Sequence, residues 1–180
     1  MSELHSIWLM PARDDEVPLQ QMVAELAARF DAPCFRPHLT LVEDMARSVD
    51  DLAPLTAEIA AGVSAFDAPV REIGVSALYY RSFYALFEPA GPLLELKRRA
   101  IAQIAPDRLD AFMPHISLLY GVSESPEKRT AQTMVAERLV GRQIRFDRIC
   151  VVASAKEIPI AEWVVRSSAI LEGSVAPLLP

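Results

Sequence analysis

Histidine, cysteine, glycine and long apolar runs are all scarce in this 180-residue chain, and each scarcity excludes a class of protein. No segment reaches the ~20 consecutive apolar residues that a membrane-spanning helix requires. Cys34 and Cys150 form no C-x-x-C pattern, so neither a metal site of that type nor a disulfide between them is expected. The six dispersed glycines leave no glycine-rich phosphate loop. With three histidines in all, few places are available for proton transfer near neutral pH.

Positive charge is also in short supply, since 18 Lys and Arg face 24 Asp and Glu for a net charge of −6. A long nucleic acid is therefore not the expected partner, because such binding needs a basic face. The first residues show no basic stretch followed by an apolar one, so no signal peptide is expected. These features predict a cytoplasmic protein with reduced cysteines.

The rest of the composition, 52% hydrophobic and 23% charged, is that of an ordinary globular domain and excludes disorder. Apolar periodicity predicts seven strands, at 6–10, 38–42, 70–79, 82–87, 116–120, 143–153 and 162–171. Helical spacing predicts four helices, at about 18–30, 52–63, 93–104 and 126–139. Pro18 is expected in the first turn of the first helix.

The order of these elements repeats, and an offset of 77 residues aligns the two halves. That offset superposes 6–10 on 83–87, His38 on His115, 50–62 on 127–139, and 67–79 on 144–156. We therefore predict one domain, 1–180, of two similar lobes at about 1–79 and 80–156, with a closing strand at about 162–171. Helices would cover one sheet face of each lobe, and the open faces would look at each other across a cleft.

The repeat is sharpest around two of the three histidines. Residues 35–42 read FRPHLTLV and residues 112–119 read FMPHISLL, so Pro-His-aliphatic-hydroxyl-Leu occurs twice. Because side chains alternate along a strand, His38 shares a face with Thr40, as His115 does with Ser117. Two imidazoles and two hydroxyls then converge in the predicted cleft.

Such a group of side chains, with no carboxylate in either motif, suits the cleavage of a phosphodiester. One neutral imidazole takes a proton from water or from a hydroxyl nucleophile, and the other, as imidazolium, protonates the leaving oxygen. The hydroxyls donate hydrogen bonds to the non-bridging phosphate oxygens, which hold the charge of the transition state. Which histidine is the acid and which the base stays open.

The twin motifs resemble the two H-x-[ST]-x signatures of the two-histidine (2H) phosphoesterase superfamily. The segments 7–11 (IWLMP) and 119–121 (LYG) are most similar to its cyclic phosphodiesterase branch, known from plants and yeast. The resemblance implies an α+β fold, a bilobal pseudo-symmetric duplication with two antiparallel sheets facing a central cleft and helices on the outer faces. The site residues that it implies are His38 and His115 as the catalytic pair and Thr40, Ser117 and Tyr120 as ligands of the substrate phosphate.

The same resemblance implies hydrolysis without a metal or a cofactor. The implied substrates are 2′,3′-cyclic nucleotides, opened to 2′-phosphates, and ADP-ribose 1″,2″-cyclic phosphate, a by-product of tRNA splicing. The expected partner is thus a small cyclic-phosphate nucleotide, and the chain is expected to be a monomer with no membrane association.

Three other functions remain to be weighed. Another branch of the superfamily acts on RNA ends as a 2′-5′ phosphodiesterase or ligase, although the chain has no evident basic stripe for long RNA. A non-catalytic nucleotide-binding module would be expected to lose one histidine or hydroxyl, and here all four are present. A metal site built on His38 and His115 would need further ligands, which neither motif contains.

Three features lie outside the repeat motif. The offset places Glu43 opposite Tyr120, and we expect Glu43 to point elsewhere, because a carboxylate in the cleft would repel phosphate. The segment 79–84 holds three Tyr, one Arg and one Phe, which suit either a base-stacking wall or hairpin packing, and we favour packing. Trp8 and Trp163 suit either the core or the edge of the cleft.

Overall fold

The computed structural model describes residues 4–104 and 109–174. Within these residues the chain forms eight strands: β1 (His5–Pro11), β2 (Leu39–Met45), β3 (Phe66–Pro69), β4 (Glu72–Val75), β5 (Phe83–Leu86), β6 (His115–Leu119), β7 (Gln143–Ala153) and β8 (Val164–Ile170). The same residues form four α-helices: α1 (Arg13–Phe30), α2 (Val49–Ala60), α3 (Gly91–Gln103) and α4 (Pro126–Leu139). Short 3₁₀ turns lie at Tyr79–Arg81, Leu109–Ala111 and Ile160–Glu162.

Local sequence signals explain where the helices begin. The hydroxyls of Ser48 and Ser125, 77 residues apart, cap α2 and α4 by accepting a hydrogen bond from a backbone N–H three residues on, each at 3.1 Å. Helix α1 begins at Arg13, so the expectation that Pro18 lies in its first turn is wrong. Acidic side chains occupy that first turn instead, where their negative charge interacts favourably with the positive end of the helix dipole.

The strands pair antiparallel in the order β3-β7-β1-β2-β6-β5-β4, with β8 also on β7. The two halves of this order meet where β2 pairs with β6 through Leu39 and Ile116. The predicted mixed class with antiparallel strands is confirmed. The two predicted sheets are the halves of one curled sheet, joined at this pair.

Strand pairing crosses the boundary between the sequence halves. Strand β4 from the first half pairs with β5, and β7 from the second half pairs with β1. The chain passes from one half of the sheet to the other between two adjacent residues. The Val70 N–H donates to the carbonyl of Arg142 at 3.0 Å, and the Arg71 N–H donates to the carbonyl of Leu86 at 2.8 Å. The predicted single strand 70–79 is therefore wrong, because the chain changes sheet partner there and β4 ends at Val75.

The main core lies between the helices and one face of the sheet. In β1, Ile7 and Leu9 belong to this core, whereas Trp8 and Met10 point to the opposite face and form a small cluster with Cys150. Cys34 is exposed, and neither cysteine forms a disulfide. Across the two described stretches, no helix has both the length and the apolar character to cross a bilayer.

Candidate active site

The sheet face away from the main core borders a cleft of about 550 Å³. The five residues predicted for the site all line this cleft: His38, Thr40, His115, Ser117 and Tyr120. The arrangement follows from the pairing of β2 with β6, which sets the two histidine motifs side by side at the middle of the sheet.

A β-bulge interrupts the first motif directly after its hydroxyl. Trp8 pairs with Thr40, but the next residue of β1, Ile7, pairs with Val42, so Leu41 is the extra residue. A bulge adds one residue to one strand and shifts the alternation of faces beyond it. Leu41 and Val42 consequently both belong to the main core.

The second motif carries the same bulge at the equivalent position. Tyr84 pairs with Ser117 and Phe83 pairs with Leu119, which leaves Leu118 as the extra residue. Leu118 and Leu119 are both fully buried. The repeat thus extends to an irregularity of the backbone that the amino-acid pattern does not reveal.

The paired bulges decide which side chains enter the cleft after each motif. In the second motif the shifted alternation brings Tyr120 into the cleft, and in the first motif it brings Glu43 there. Our expectation that Glu43 points elsewhere is therefore wrong. Another register irregularity between His5 and Ile7 follows along the same strand pair, and Asp44 also lines the cleft.

The strand register also corrects the repeat offset in β1 and β5. Trp8 lies opposite Thr40 and Tyr84 lies opposite Ser117, so these aromatic residues are equivalent at an offset of 76 rather than 77. Each contacts the histidine of its own half, but differently. The Trp8 ring stacks on the ring of His38 (centroids 3.5 Å apart, 7° between planes), whereas Tyr84 meets His115 edge-on at 5.4 Å.

Each imidazole is held by a backbone carbonyl two residues earlier. The Nδ1–H of His38 donates to the carbonyl of Arg36 at 2.7 Å, and the Nδ1–H of His115 donates to the carbonyl of Met113 at 2.8 Å. A carbonyl only accepts, so this contact assigns the proton to Nδ1 in both rings. Nε2 is then the nitrogen of each ring that can take up or release a proton.

Burial makes both imidazoles weak bases. It lowers the pKa of His38 to about 4, the Arg36 carbonyl opposes this shift, and the charge of His115 adds to it. Burial also lowers the pKa of His115, the Met113 carbonyl opposes it, Arg81 lowers it further and Glu43 raises it. Both rings are therefore mostly neutral at pH 7, and they are near enough to influence each other's protonation.

Ser117 and Tyr120 lie close to each other in the cleft. The Ser117 hydroxyl donates to the carbonyl of Tyr80 at 2.8 Å, and Ser117 lies near enough to the Tyr120 phenol to affect its pKa. Burial raises the pKa of the Tyr120 phenol, which keeps it protonated as a donor. Its ring stacks on Phe35 with centroids 3.6 Å apart, and this contact fixes the ring in place.

Sequence reasoning missed a cation in this cleft, Arg81. Together with Tyr79 and Tyr80 it lines the cleft, so the hairpin-packing interpretation is wrong for these residues. The guanidinium lies 5.8 Å from the centre of the Tyr84 ring. Among the described residues, its buried Nε has no hydrogen-bond partner. One signal was available, since Arg81 is the only Lys or Arg between residues 72 and 96.

The arrangement of the possible metal ligands matters for the chemistry of the site. In the part of the chain that the structure describes, no three His, Cys, Asp or Glu residues are grouped so that they could hold a metal ion.

Two carbonyl-anchored imidazoles beside paired hydroxyls in one cleft define a phosphoesterase of the two-histidine type. The chain belongs to the 2′-5′ RNA ligase superfamily, the family of the 2H phosphoesterases, which it matches over residues 11–157. It is 22% identical over 150 residues to the cyclic phosphodiesterase of Arabidopsis thaliana, a match that covers 82% of this chain and 83% of the relative. The predicted resemblance is confirmed.

Solved structures show the same fold. TT0787 of Thermus thermophilus superposes with a TM-score of 0.65 at 18% identity, over 96% of this chain and all 100% of that one. LigT of Escherichia coli in complex with phosphate gives a TM-score of 0.59 at 14% identity, over 94% of this chain and 97% of that one. LigT has also been solved with 3′-AMP. At these identities the likeness shows the fold alone.

Proposed function

We propose that the protein hydrolyses small cyclic phosphates, namely 2′,3′-cyclic nucleotides, ADP-ribose 1″,2″-cyclic phosphate or both, with His38 and His115 as acid and base and without a metal. The observation that carries this proposal is the pair of imidazoles, each anchored through Nδ1 to its own backbone and placed in one cleft. The cyclic phosphodiesterase relative and the nucleotide-bound LigT structures support it.

In this proposal the substrate phosphate binds between the two motifs. Thr40, Ser117 and Tyr120 donate to its non-bridging oxygens, and the guanidinium of Arg81, which lines the same cleft, adds a charge-assisted hydrogen bond. A serine hydroxyl has one proton, and in the free protein it is used for the Tyr80 carbonyl. Ser117 therefore turns its hydroxyl from that carbonyl to the phosphate when the substrate binds.

The surroundings of the two imidazoles suggest their roles. Burial lowers the pKa of His38 to about 4 and keeps that ring neutral, so we assign the base to His38. We assign the imidazolium to His115, where Glu43 partly opposes the lowering of the pKa. His38 Nε2 takes a proton from water as the water oxygen bonds to phosphorus. The bond from phosphorus to the 3′-oxygen breaks, and that oxygen receives the proton of His115 Nε2, which leaves a 2′-phosphate. Exchange with solvent then restores both protonation states.

The experiment is a screen of 2′,3′-cyclic nucleotides and ADP-ribose cyclic phosphate in EDTA, with product identification as 2′- or 3′-phosphate. We expect turnover in EDTA and a loss of about 10²- to 10⁴-fold in each of His38→Ala and His115→Ala. Circular dichroism checks that both variants remain folded. Turnover retained in both variants, or lost on adding EDTA, would refute the mechanism.

The same screen includes a 2′-5′-linked oligonucleotide, which tests the other branch of the superfamily. Hydrolysis or ligation of that oligonucleotide at rates above those for every cyclic phosphate would replace the proposed substrate class.

A further inference from the structure

Acidic side chains outnumber basic ones around a cleft that is proposed to bind phosphate. Glu43, Asp44 and Glu157 line it together with Arg81 and Lys156, and all three carboxylates are exposed. With neutral imidazoles, the charged groups of the lining therefore leave the cleft slightly negative. A general phosphate-binding cleft would show the opposite balance, so the arrangement needs an explanation in terms of the ligand.

The charges are not evenly spread. Arg81 and Glu43 both lie close enough to His115, beside the reacting centre, to affect its pKa. Asp44 lies close enough to Ser6, Lys156 and Glu157 for all three to affect its pKa, which burial raises overall.

The carboxylates lie near Tyr80. Burial, with Tyr79, Asp44 and Glu157 in support, raises the pKa of the Tyr80 phenol. The backbone carbonyl of the same residue holds Ser117. Asp44 and Glu157 thus border the cleft near Tyr80, whereas Glu43 lies nearer His115.

These carboxylates affect a ligand with one negative charge less than a ligand with two. A cyclic phosphodiester carries a single negative charge, which the guanidinium of Arg81 can neutralise and the hydroxyls can stabilise by hydrogen bonds. A second phosphate on the same ligand would lie in the field of Asp44 and Glu157, and like charges brought together oppose binding. The phosphomonoester product, close to a dianion at neutral pH, is opposed in the same way and leaves more readily.

We propose that Asp44 and Glu157 make the cleft selective for cyclic phosphates that carry no second phosphate, such as a 2′,3′-cyclic nucleoside phosphate with a free 5′-hydroxyl. The selection acts against ADP-ribose cyclic phosphate and against oligonucleotides. This inference rests on the proposed function, and it narrows the substrate class of the same site.

The kinetic test compares kcat/KM for adenosine 2′,3′-cyclic phosphate with kcat/KM for the same compound bearing a 5′-phosphate. We expect the wild-type protein to prefer the 5′-hydroxyl form by at least about tenfold, and Asp44→Asn/Glu157→Gln to reduce that preference about fivefold, a modest change because the carboxylates are exposed and screened. The matched control Glu58→Gln/Glu137→Gln removes the same charge from exposed helix positions outside the cleft and should leave the preference unchanged.

A binding test needs no turnover. The affinity for 2′-AMP, followed by tryptophan fluorescence, should rise about fivefold in the double variant and stay constant in the control. Glu157→Gln alone repeats both tests without changing Asp44, which lies next to Ser6.

The outcomes separate the inference from the function on which it rests. Hydrolysis with an unchanged preference and unchanged 2′-AMP affinity in the folded variants would overturn the charge selection and leave the proposed function standing. Tighter 2′-AMP binding by the variants of a protein that hydrolyses none of the cyclic phosphates would overturn the function and uphold the selection.

Discussion

The buried His38 should make the protein sensitive to mild acid. Lowering the pH from about 8 to about 5 should reduce the free energy of unfolding of the wild-type protein by about 2 kcal/mol more than that of His38→Gln. The cause is that Trp8, itself only 3% exposed, stacks on the imidazole and helps to bury it. An imidazolium there is poorly solvated by water.

The magnitude follows from the pKa of His38, which burial lowers from 6.5 to about 4 in the folded protein. Between these two values the unfolded chain binds a proton that the folded protein does not, so stability falls as the pH falls. At about pH 5 the difference amounts to about 2 kcal/mol, and well below pH 4 it approaches about 3.5 kcal/mol, at about 1.4 kcal/mol for each unit of pKa.

Urea unfolding followed by tryptophan fluorescence measures this effect, because Trp8 and Trp163 lie beside His38. The comparison between the two proteins cancels the contribution of His115 and of the carboxylates. A parallel pH dependence in the wild-type and His38→Gln proteins would refute the reasoning, since it would mean that His38 is protonated as readily in the folded protein as in the unfolded one.

Two further changes test the chemistry of the site. Arg81→Met should lower kcat/KM for a cyclic nucleotide by about 10- to 100-fold, as expected for a lost charge-assisted hydrogen bond, with little change in thermal stability. Arg71→Met, which removes an arginine that pairs with Glu88 outside the cleft, serves as its control, and equal activity in the two variants would contradict the role of Arg81. A substrate with sulfur in place of the leaving 3′-oxygen should restore turnover to His115→Ala and not to His38→Ala, because a thiolate leaves without protonation, and the reverse pattern would exchange the assigned roles.

Much of the fold was predictable because its signals are local and repeated. Apolar periodicity located all four helices, and the serine caps recur at the same offset as the histidines. The twin motifs predicted two histidines and two hydroxyls in one cleft because strand alternation needs no long-range information as far as Thr40 and Ser117.

The predictions about Glu43 and about the strand 70–79 failed because they depend on which strands pair and in which register. Glu43 could not be placed in the cleft, because the bulge at Leu41 is a property of the β1–β2 ladder and leaves no mark on the sequence. The change of partner between Val70 and Arg71 was invisible for the same reason. The cytoplasmic location and the monomeric state stay predictions.

The exchange of β4 and β7 between the half-sheets links the assembly of the site to folding. A fragment ending near residue 79 would contain β4 without β5 and β1 without β7, so it would expose unpaired edges on both strands. The complementary fragment would have the converse defect. We therefore expect that neither half of the repeat forms a finished histidine motif by itself, and that the cleft between the two imidazoles forms only when both halves of the chain are present.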